Sequence, residues 1–267
     1  MTKGGFITNN IDAKKVMGKP LVSVVTVVRN GEKDMQSCID TVCAQSYPNI
    51  EHIIMDGNSS DATVEILKSN SDRVAFWISE PDRGIYDAMN KAIPYCSGDW
   101  IFFLGVDDLL LDGFSQMMDN LLDVHTAYYG CVVYRGVERY DGPVDRFKLV
   151  RENIPHQALL YPKIVFETHR YDISYNIAAD NVLLLTLWKE NKIKFEYHPI
   201  LLCIFNHTGI SGHDWDRLFF KNRSKLIRNH LGTGPYFYHL YLLFAEKAAK
   251  KINKRVNKLK NFFNSKA

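Results

Sequence analysis

The stretch Leu21-Val-Ser-Val-Val-Thr-Val-Val28 constrains this chain more than any other. It is almost wholly apolar and β-branched, with no polar alternation. A strand with one wet face would alternate. A run without alternation reads as a strand covered on both faces, as in a parallel sheet flanked by helices. The pattern then recurs. Residues 32–45 read as a helix and Ile50–Met55 as a strand ending at Asp56-Gly57. Residues 61–69 read as a helix, Val74–Ile78 as a strand, 85–93 as a helix, and Trp100–Leu104 as a strand running into Gly-Val-Asp-Asp. Such alternation predicts an α/β fold with right-handed crossovers, a mostly parallel central sheet and helices on both faces.

Beyond residue 112 the rhythm loosens. A helix is expected near 112–123, a strand near Ala127–Tyr134, and a hairpin around Asp141-Gly142. Helices near 162–168 and 180–190, a strand over Ile193–Phe205, and two closing helices near 214–230 and 236–262 follow. The organisation predicted is a polar, poorly ordered N-terminal extension (1–20), a nucleotide-binding half (21–115), an acceptor-side half of the same domain (116–232), and a basic amphipathic tail (233–267). At 267 residues the chain is long enough for one large domain with a modest appendage.

Charge is uneven. From residue 246 onward there are eight Lys or Arg and one Glu, a local +7 in a chain of net +3, so the remainder carries −4. The basic excess belongs to the tail, which argues against a nucleic-acid-binding core. Five scattered cysteines, without a CxxC spacing, point to reduced thiols in a cytoplasmic setting. Residues 1–20 hold no apolar leader, so no signal peptide is expected. No apolar run reaches the roughly 18 residues that a spanning helix needs.

Ligands of open parallel sheets bind beyond the carboxyl ends of the strands. The residues at those ends are Thr26 and Arg29-Asn30 on the first strand, Asp56 on the second, Glu80-Pro-Asp82-Arg83-Gly84 on the third and Asp107-Asp108 on the fourth. Adjacent carboxylates repel unless a cation or basic group is near. Hard divalent ions take one or two carboxylates and complete their shell with substrate phosphates. The bland alternative is one Asp capping the next helix and one solvated. Asp56 could accept a hydrogen bond from a nucleobase or ribose, or simply form an Asx turn. Asp61 reads as the N-cap of the following helix. Arg83 could clamp a diphosphate, pair with Asp82, or lie solvated.

Five segments together resemble the family 2 glycosyltransferases with the GT-A fold. They are Ser23–Asn30, Gln45–Asn49, Ile54–Thr63, Glu80–Ala92 and Gly98–Asp108. The resemblance is strong over about 21–115, looser to about 215, and absent in the tail. It implies an enzyme transferring a sugar from a nucleotide-sugar donor to a hydroxyl acceptor with inversion, aided by Mn2+ or Mg2+. It implies that Thr26 and Asp56 hold the nucleoside and that the loop at Asp82-Arg83 flanks the donor, with Asn30 nearby. The usual Asp-x-Asp is altered here to Gly105-Val-Asp-Asp108. Asp108 is assigned to the metal and Asp107 to the donor's ribose or sugar. Asp180, in Ile177-Ala-Ala-Asp-Asn-Val-Leu-Leu184, matches the family's general base, although it could equally cap its helix. His156, Gln157 and Ser211 (in Gly209-Ile-Ser-Gly212) resemble acceptor-side segments.

The tail carries Leu240, Phe244, Ala248, Ile252, Val256, Leu259 and Phe263 at helical spacing, with lysines between. This pattern fits a helix lying in the plane of an anionic membrane surface. A helix packing the stripe on the domain, or pairing with a second copy, has the same pattern. Membrane docking suits a lipid-linked acceptor and a bacterial surface polysaccharide, made at the inner face of the cell membrane. Two rivals are a catalytically silent nucleotide-sugar-binding scaffold and a sugar nucleotidyltransferase. The second would need a Gly-rich basic loop after the first strand, where Val28-Arg-Asn-Gly-Glu-Lys33 has a single Gly.

Overall fold

The computed structural model describes residues 1–6, 16–134, 139–206 and 216–264. Its strands are β1 (Thr2–Gly4), β2 (Val22–Val28), β3 (Ile50–Asp56), β4 (Phe76–Ser79), β5 (Trp100–Gly105), β6 (Leu109–Leu110), β7 (Thr126–Tyr134), β8 (Arg139–Tyr140), β9 (Leu159–Pro162) and β10 (Lys194–Phe205). Its α-helices are α1 (Met35–Cys43), α2 (Thr63–Ser69), α3 (Ile85–Ala92), α4 (Gly113–Met117), α5 (Lys148–Arg151), α6 (Val165–Thr168), α7 (Ala179–Glu190), α8 (Arg217–Leu231) and α9 (Thr233–Asn264).

All but β8 lie in the order β1-β4-β3-β2-β5-β9-β7-β10-β6, and β8 pairs with β7. The pairs β2–β3, β3–β4, β2–β5 and β7–β10 are parallel. β9 is inserted antiparallel between β5 and β7, which welds the two halves into one sheet. The chain steps from β2 to β3 to β4 in one direction, then returns past them to β5. Right-handed crossovers in opposite directions put their helices on opposite faces, so α1 and α2 lie on one side and α3 on the other. The reversal falls between β2 and β5, and the crevice at such a switch point is where a ligand enters.

The first strand reads as its composition demands. Val22, Val24, Val25 and Val28 are buried to 5% exposure or less. Each such side chain contributes on the order of 1.5 kcal/mol or more. The core continues through Ile53, Ile54, Trp77, Ile78 and Phe102 to Tyr129, Leu160 and Leu202.

Several expectations are revised. Thr2–Gly4 form an antiparallel edge strand on β4, with Phe6 N–H donating to the Val74 carbonyl, so the start of the chain is part of the sheet. Asp141-Gly142 follows β8, in which Arg139 and Tyr140 pair with Val133 and Val132. The helix expected near 162–168 is Val165–Thr168, and it is preceded by a strand over residues 159–162, to which β5 and β7 both offer an unpaired edge. Asp61 does not cap α2. It accepts from Thr63 and from the Glu32 N–H, tying the loop after β2 to the loop after β3.

Candidate active site

The loops at the carboxyl ends of β2 to β5 are knitted together by their polar residues. Asn30, with φ of 55°, accepts from Ser60 N–H at 2.9 Å and donates its own N–H to Ser59 Oγ at 2.7 Å. The Asp56 carboxylate is 2% exposed. It accepts from both the N–H and the hydroxyl of Ser59, and from Ser79 Oγ at 2.5 Å. It therefore braces the walls of the crevice. Asp82 packs its carboxylate on Gly57, where a Cβ would meet Oδ2 at 2.2 Å, and accepts the Gly84 N–H at 2.8 Å. Arg83 bonds Asp87 at 2.9 Å through its guanidinium and at 3.0 Å through its backbone N–H. Burial raises the Asp87 carboxyl, yet these Arg83 bonds hold it below the ordinary range.

The Thr26 side chain is fully buried, with Oγ1 2.9 Å from His52 Nε2 and 3.6 Å from Cys38 Sγ.

The two members of the acidic pair differ in burial. Asp108 has no exposed surface. Its Oδ2 accepts from Gly105 N–H at 2.9 Å and Gln157 Nε2 at 3.2 Å, and its Oδ1 from Asn206 N–H at 2.9 Å. Burial pushes its carboxyl up to about 6, against the Asn206 N–H and with the help of neighbouring Asp107. Asp107 is half-buried. Among the described residues no three Asp, Glu, His or Cys side chains form a cage of their own. Two adjacent carboxylates still fit a hard ion that draws its other ligands from a diphosphate, so the pair suits Mn2+ or Mg2+.

Asp180 lies in the first turn of α7, where the amide ends of the helix favour an anion. It is not the N-cap, a place held by Ala178. Its Oδ1 accepts from Tyr86 OH at 2.9 Å and Asn181 N–H at 2.8 Å, and its Oδ2 from Asn153 Nδ2 at 2.8 Å. His156 Nδ1 stands 3.6 Å from Oδ2. Asp216 fixes the preceding segment by accepting from Ile177 and Ala178 N–H while capping α8 through Phe219 N–H.

Two neighbours, His156 and Gln157, therefore connect the two acidic centres: one faces Asp180, the other bonds Asp108. Tyr86, Asn153 and Asp216 were not singled out from the sequence. Tyr86 lay inside a quoted motif, but nothing local marks Asn153 or Asp216, whose partners are 27 and 39 residues away. Ser211 lies outside the described residues.

A family model described as Glycosyl transferase family 2 matches residues 23–177. An uncharacterized glycosyltransferase of Mycobacterium tuberculosis is 31% identical over 242 residues, covering 84% of this chain and 90% of that protein. A PGL/p-HBAD biosynthesis glycosyltransferase of Mycobacterium bovis is 26% identical over 203 residues, covering 72% and 79%. Two solved structures share the fold. TarS 1-349 of S. aureus in complex with UDP has a TM-score of 0.59 at 16% identity, covering 78% of this chain and 64% of that one. The mannosyltransferase PcManGT of Pyrobaculum calidifontis, in complex with GDP-Man and Mn2+, has a TM-score of 0.58 at 17% identity, covering 80% and 64%. This chain thus spans less than two thirds of the length of either structure.

Proposed function

The chain belongs to glycosyl transferase family 2 and has the GT-A fold, and from that premise we propose that it is an inverting transferase. It moves a sugar from a nucleoside diphosphate donor to a hydroxyl of a lipid-linked glycan in bacterial surface polysaccharide synthesis. One observation carries this reading: consecutive residues His156 and Gln157 join the Asp180 carboxylate to the acidic end of β5, so a base and a donor site share one crevice. Fold relatives bound to UDP and to GDP-Man support a nucleotide-sugar donor.

In this reading Asn30, the braced loop after Asp56, and the Asp82-Arg83 loop surround the donor. Asp180 Oδ2 takes the proton of the acceptor hydroxyl. The hydroxyl oxygen attacks the anomeric carbon, the bond to the diphosphate breaks, and the electron pair departs with the nucleoside diphosphate. Attack opposite the leaving group inverts the carbon. A base of this kind contributes about 10²–10⁴-fold in rate. Asp107-Asp108 would hold a divalent ion together with the diphosphate, and that ion would neutralise leaving-group charge.

The lipid-linked acceptor is supported by α9. No helix among the described residues is long and apolar enough to cross a membrane. However, Phe237, Tyr241, Phe244 and Ile252 are 67%, 64%, 72% and 59% exposed, with Lys247, Lys250, Lys251 and Lys254 exposed beside them. His239, on the opposite side of the helix, is buried against α8, 3.0 Å from Ser224 Oγ. The aromatic and basic face turned outward fits docking to the anionic inner face of the cell membrane.

The test is hydrolysis of a panel of UDP- and GDP-sugars with Mn2+, Mg2+ or chelator, with Asp180→Asn alongside wild type. Wild type should turn over one donor in a metal-stimulated manner. Asp180→Asn should bind that donor equally but lose transfer by at least about 100-fold. Equal turnover by both proteins would remove Asp180 as the base.

A further inference from the structure

Helix α3 is two turns long and works on two sides. Along one side, Asp87 and Lys91 hold the loop that precedes it. Arg83 Nη2 lies 2.9 Å from Asp87 Oδ1, and Lys91 Nζ lies 3.2 Å from Glu80 Oε1 and 2.8 Å from the Pro81 carbonyl oxygen. Along another side, Tyr86 and Asn90 hold the segment that leads to Asp180. Asn90 exchanges two 2.9 Å hydrogen bonds with the backbone of Tyr171, through Nδ2 to its carbonyl and Oδ1 from its N–H. The Tyr86 hydroxyl lies 2.6 Å from the Ile177 carbonyl oxygen and 2.9 Å from Asp180 Oδ1.

These contacts specify how Asp180 is presented. The single Tyr86 proton is shared between the Ile177 carbonyl and Asp180 Oδ1, to which Asn181 N–H also donates, while Oδ2 accepts from Asn153 and keeps a lone pair for an incoming hydroxyl. Tyr86 is 4% exposed, and its ring lies against Tyr171 with centroids 5.2 Å apart. Burial, reinforced by Asp180, pushes its phenol well above the ordinary value, so it remains a proton donor. Met89 and Ala92 are buried and pack α3 firmly into the fold.

We propose that Tyr86 is a positioning residue that couples donor to base: the donor's seating against the Arg83 loop is carried by α3 to the carboxylate of Asp180. This rests on the reading of Asp180 as base and of residues 80–84 as the donor's flank. Tyr86 touches neither substrate. It acts by selecting the Asp180 oxygen that meets the acceptor, so its removal slows the chemical step without weakening donor binding.

The experiment is steady-state kinetics on the UDP- or GDP-sugar that wild type turns over, with calorimetric binding of the matching nucleoside diphosphate. The proteins compared are wild type, Tyr86→Phe, Arg83→Ala, the double variant and Asp180→Asn. Tyr86→Phe should lower kcat about 10- to 100-fold, the range for losing a hydrogen bond to a charged group. Its donor KM and nucleotide Kd should stay at wild-type values. Arg83→Ala should raise KM and also lower kcat, and the double variant should be no slower than the slower single one. Wild-type kcat in Tyr86→Phe overturns the proposal, as do losses that multiply in the double variant. A fall in kcat accompanied by a lower unfolding midpoint and weaker nucleotide binding also overturns it, since that marks a merely structural role. If Asp180→Asn is fully active, the base assignment itself has failed. If Asp180→Asn is inactive and Tyr86→Phe is normal, only the coupling has failed.

Discussion

Gln157 Nε2 donates to Asp108 Oδ2 across 3.2 Å, at a point where Asp108 has no exposed surface. The buried member of the acidic pair is therefore a strut between the end of β5 and the short 3-10 helix His156–Ala158. Its neighbour Asp107 is half-buried.

This division predicts opposite phenotypes for adjacent residues. Asp107→Ala should abolish the Mn2+-dependent part of nucleotide binding and cost less stability than Asp108→Ala. Asp108→Ala strands the Gly105 and Asn206 N–H groups and should cost roughly 2 kcal/mol or more in urea unfolding. If Asp108→Ala folds with wild-type stability and Asp107→Ala still binds nucleotide with metal dependence, the assignment is reversed.

Gly57 lets the Asp82 carboxylate pack close. An added Cβ would fall 2.2 Å from Asp82 Oδ2 and 3.5 Å from Arg29 Cβ. Gly57→Ala must turn the Asp82 carboxylate away from this place. Donor KM should rise several-fold, whereas kcat at saturation should fall less. An unaltered KM would mean that this loop does not flank the donor.

His52 gives the fold a pH dependence of known sign. Burial depresses its imidazole to about 3, below the usual 6.5, and its Nδ1 has no partner. The unfolded chain then binds a proton that the folded chain refuses. The contribution is fully present above about pH 6.5 and is lost as pH falls toward about 3, at about 1.4 kcal/mol per pH unit. His52→Gln should flatten that part of a stability-against-pH curve. An identical slope in both proteins would dismiss His52 as its source.

The outward face of α9 should bind anionic vesicles. Replacing Phe237, Phe244 and Ile252 together by Ser should lower co-sedimentation with phosphatidylglycerol vesicles by about tenfold or more, with hydrolysis of a soluble donor unchanged. Deleting 246–267 should act in the same direction. Unchanged sedimentation together with a shift from dimer to monomer would show that the face joins two copies.

Much of the donor side was legible because it is local. The carboxyl ends of β2 to β5 follow directly from runs such as Val22–Val28 and Trp100–Leu104, and the polar residues at those ends must gather on one edge of a parallel sheet. The burial of Thr26 was not legible, because its hydroxyl meets His52 in the adjacent strand, 26 residues away. β9 was not foreseen, because antiparallel insertion depends on unpaired edges of β5 and β7, which no local pattern reveals.

The sequence by itself determined the alternating α/β core and the sheet edge on which Asp56, Asp82 and Asp107-Asp108 gather, while Asp180 entered only through the family resemblance. The core and the edge depend on hydrophobic periodicity and strand direction, which are properties of short segments. Only the tertiary structure decided that Asp108 is buried and Asp107 half-buried, and which donors hold each oxygen of Asp180. Those choices are made by Gln157, Asn206 and Tyr86, which lie 49, 98 and 94 residues from the carboxylates they hold. A buried carboxylate takes whatever donors the fold brings to it, and that supply is set by packing at long range, not by its neighbours in the chain.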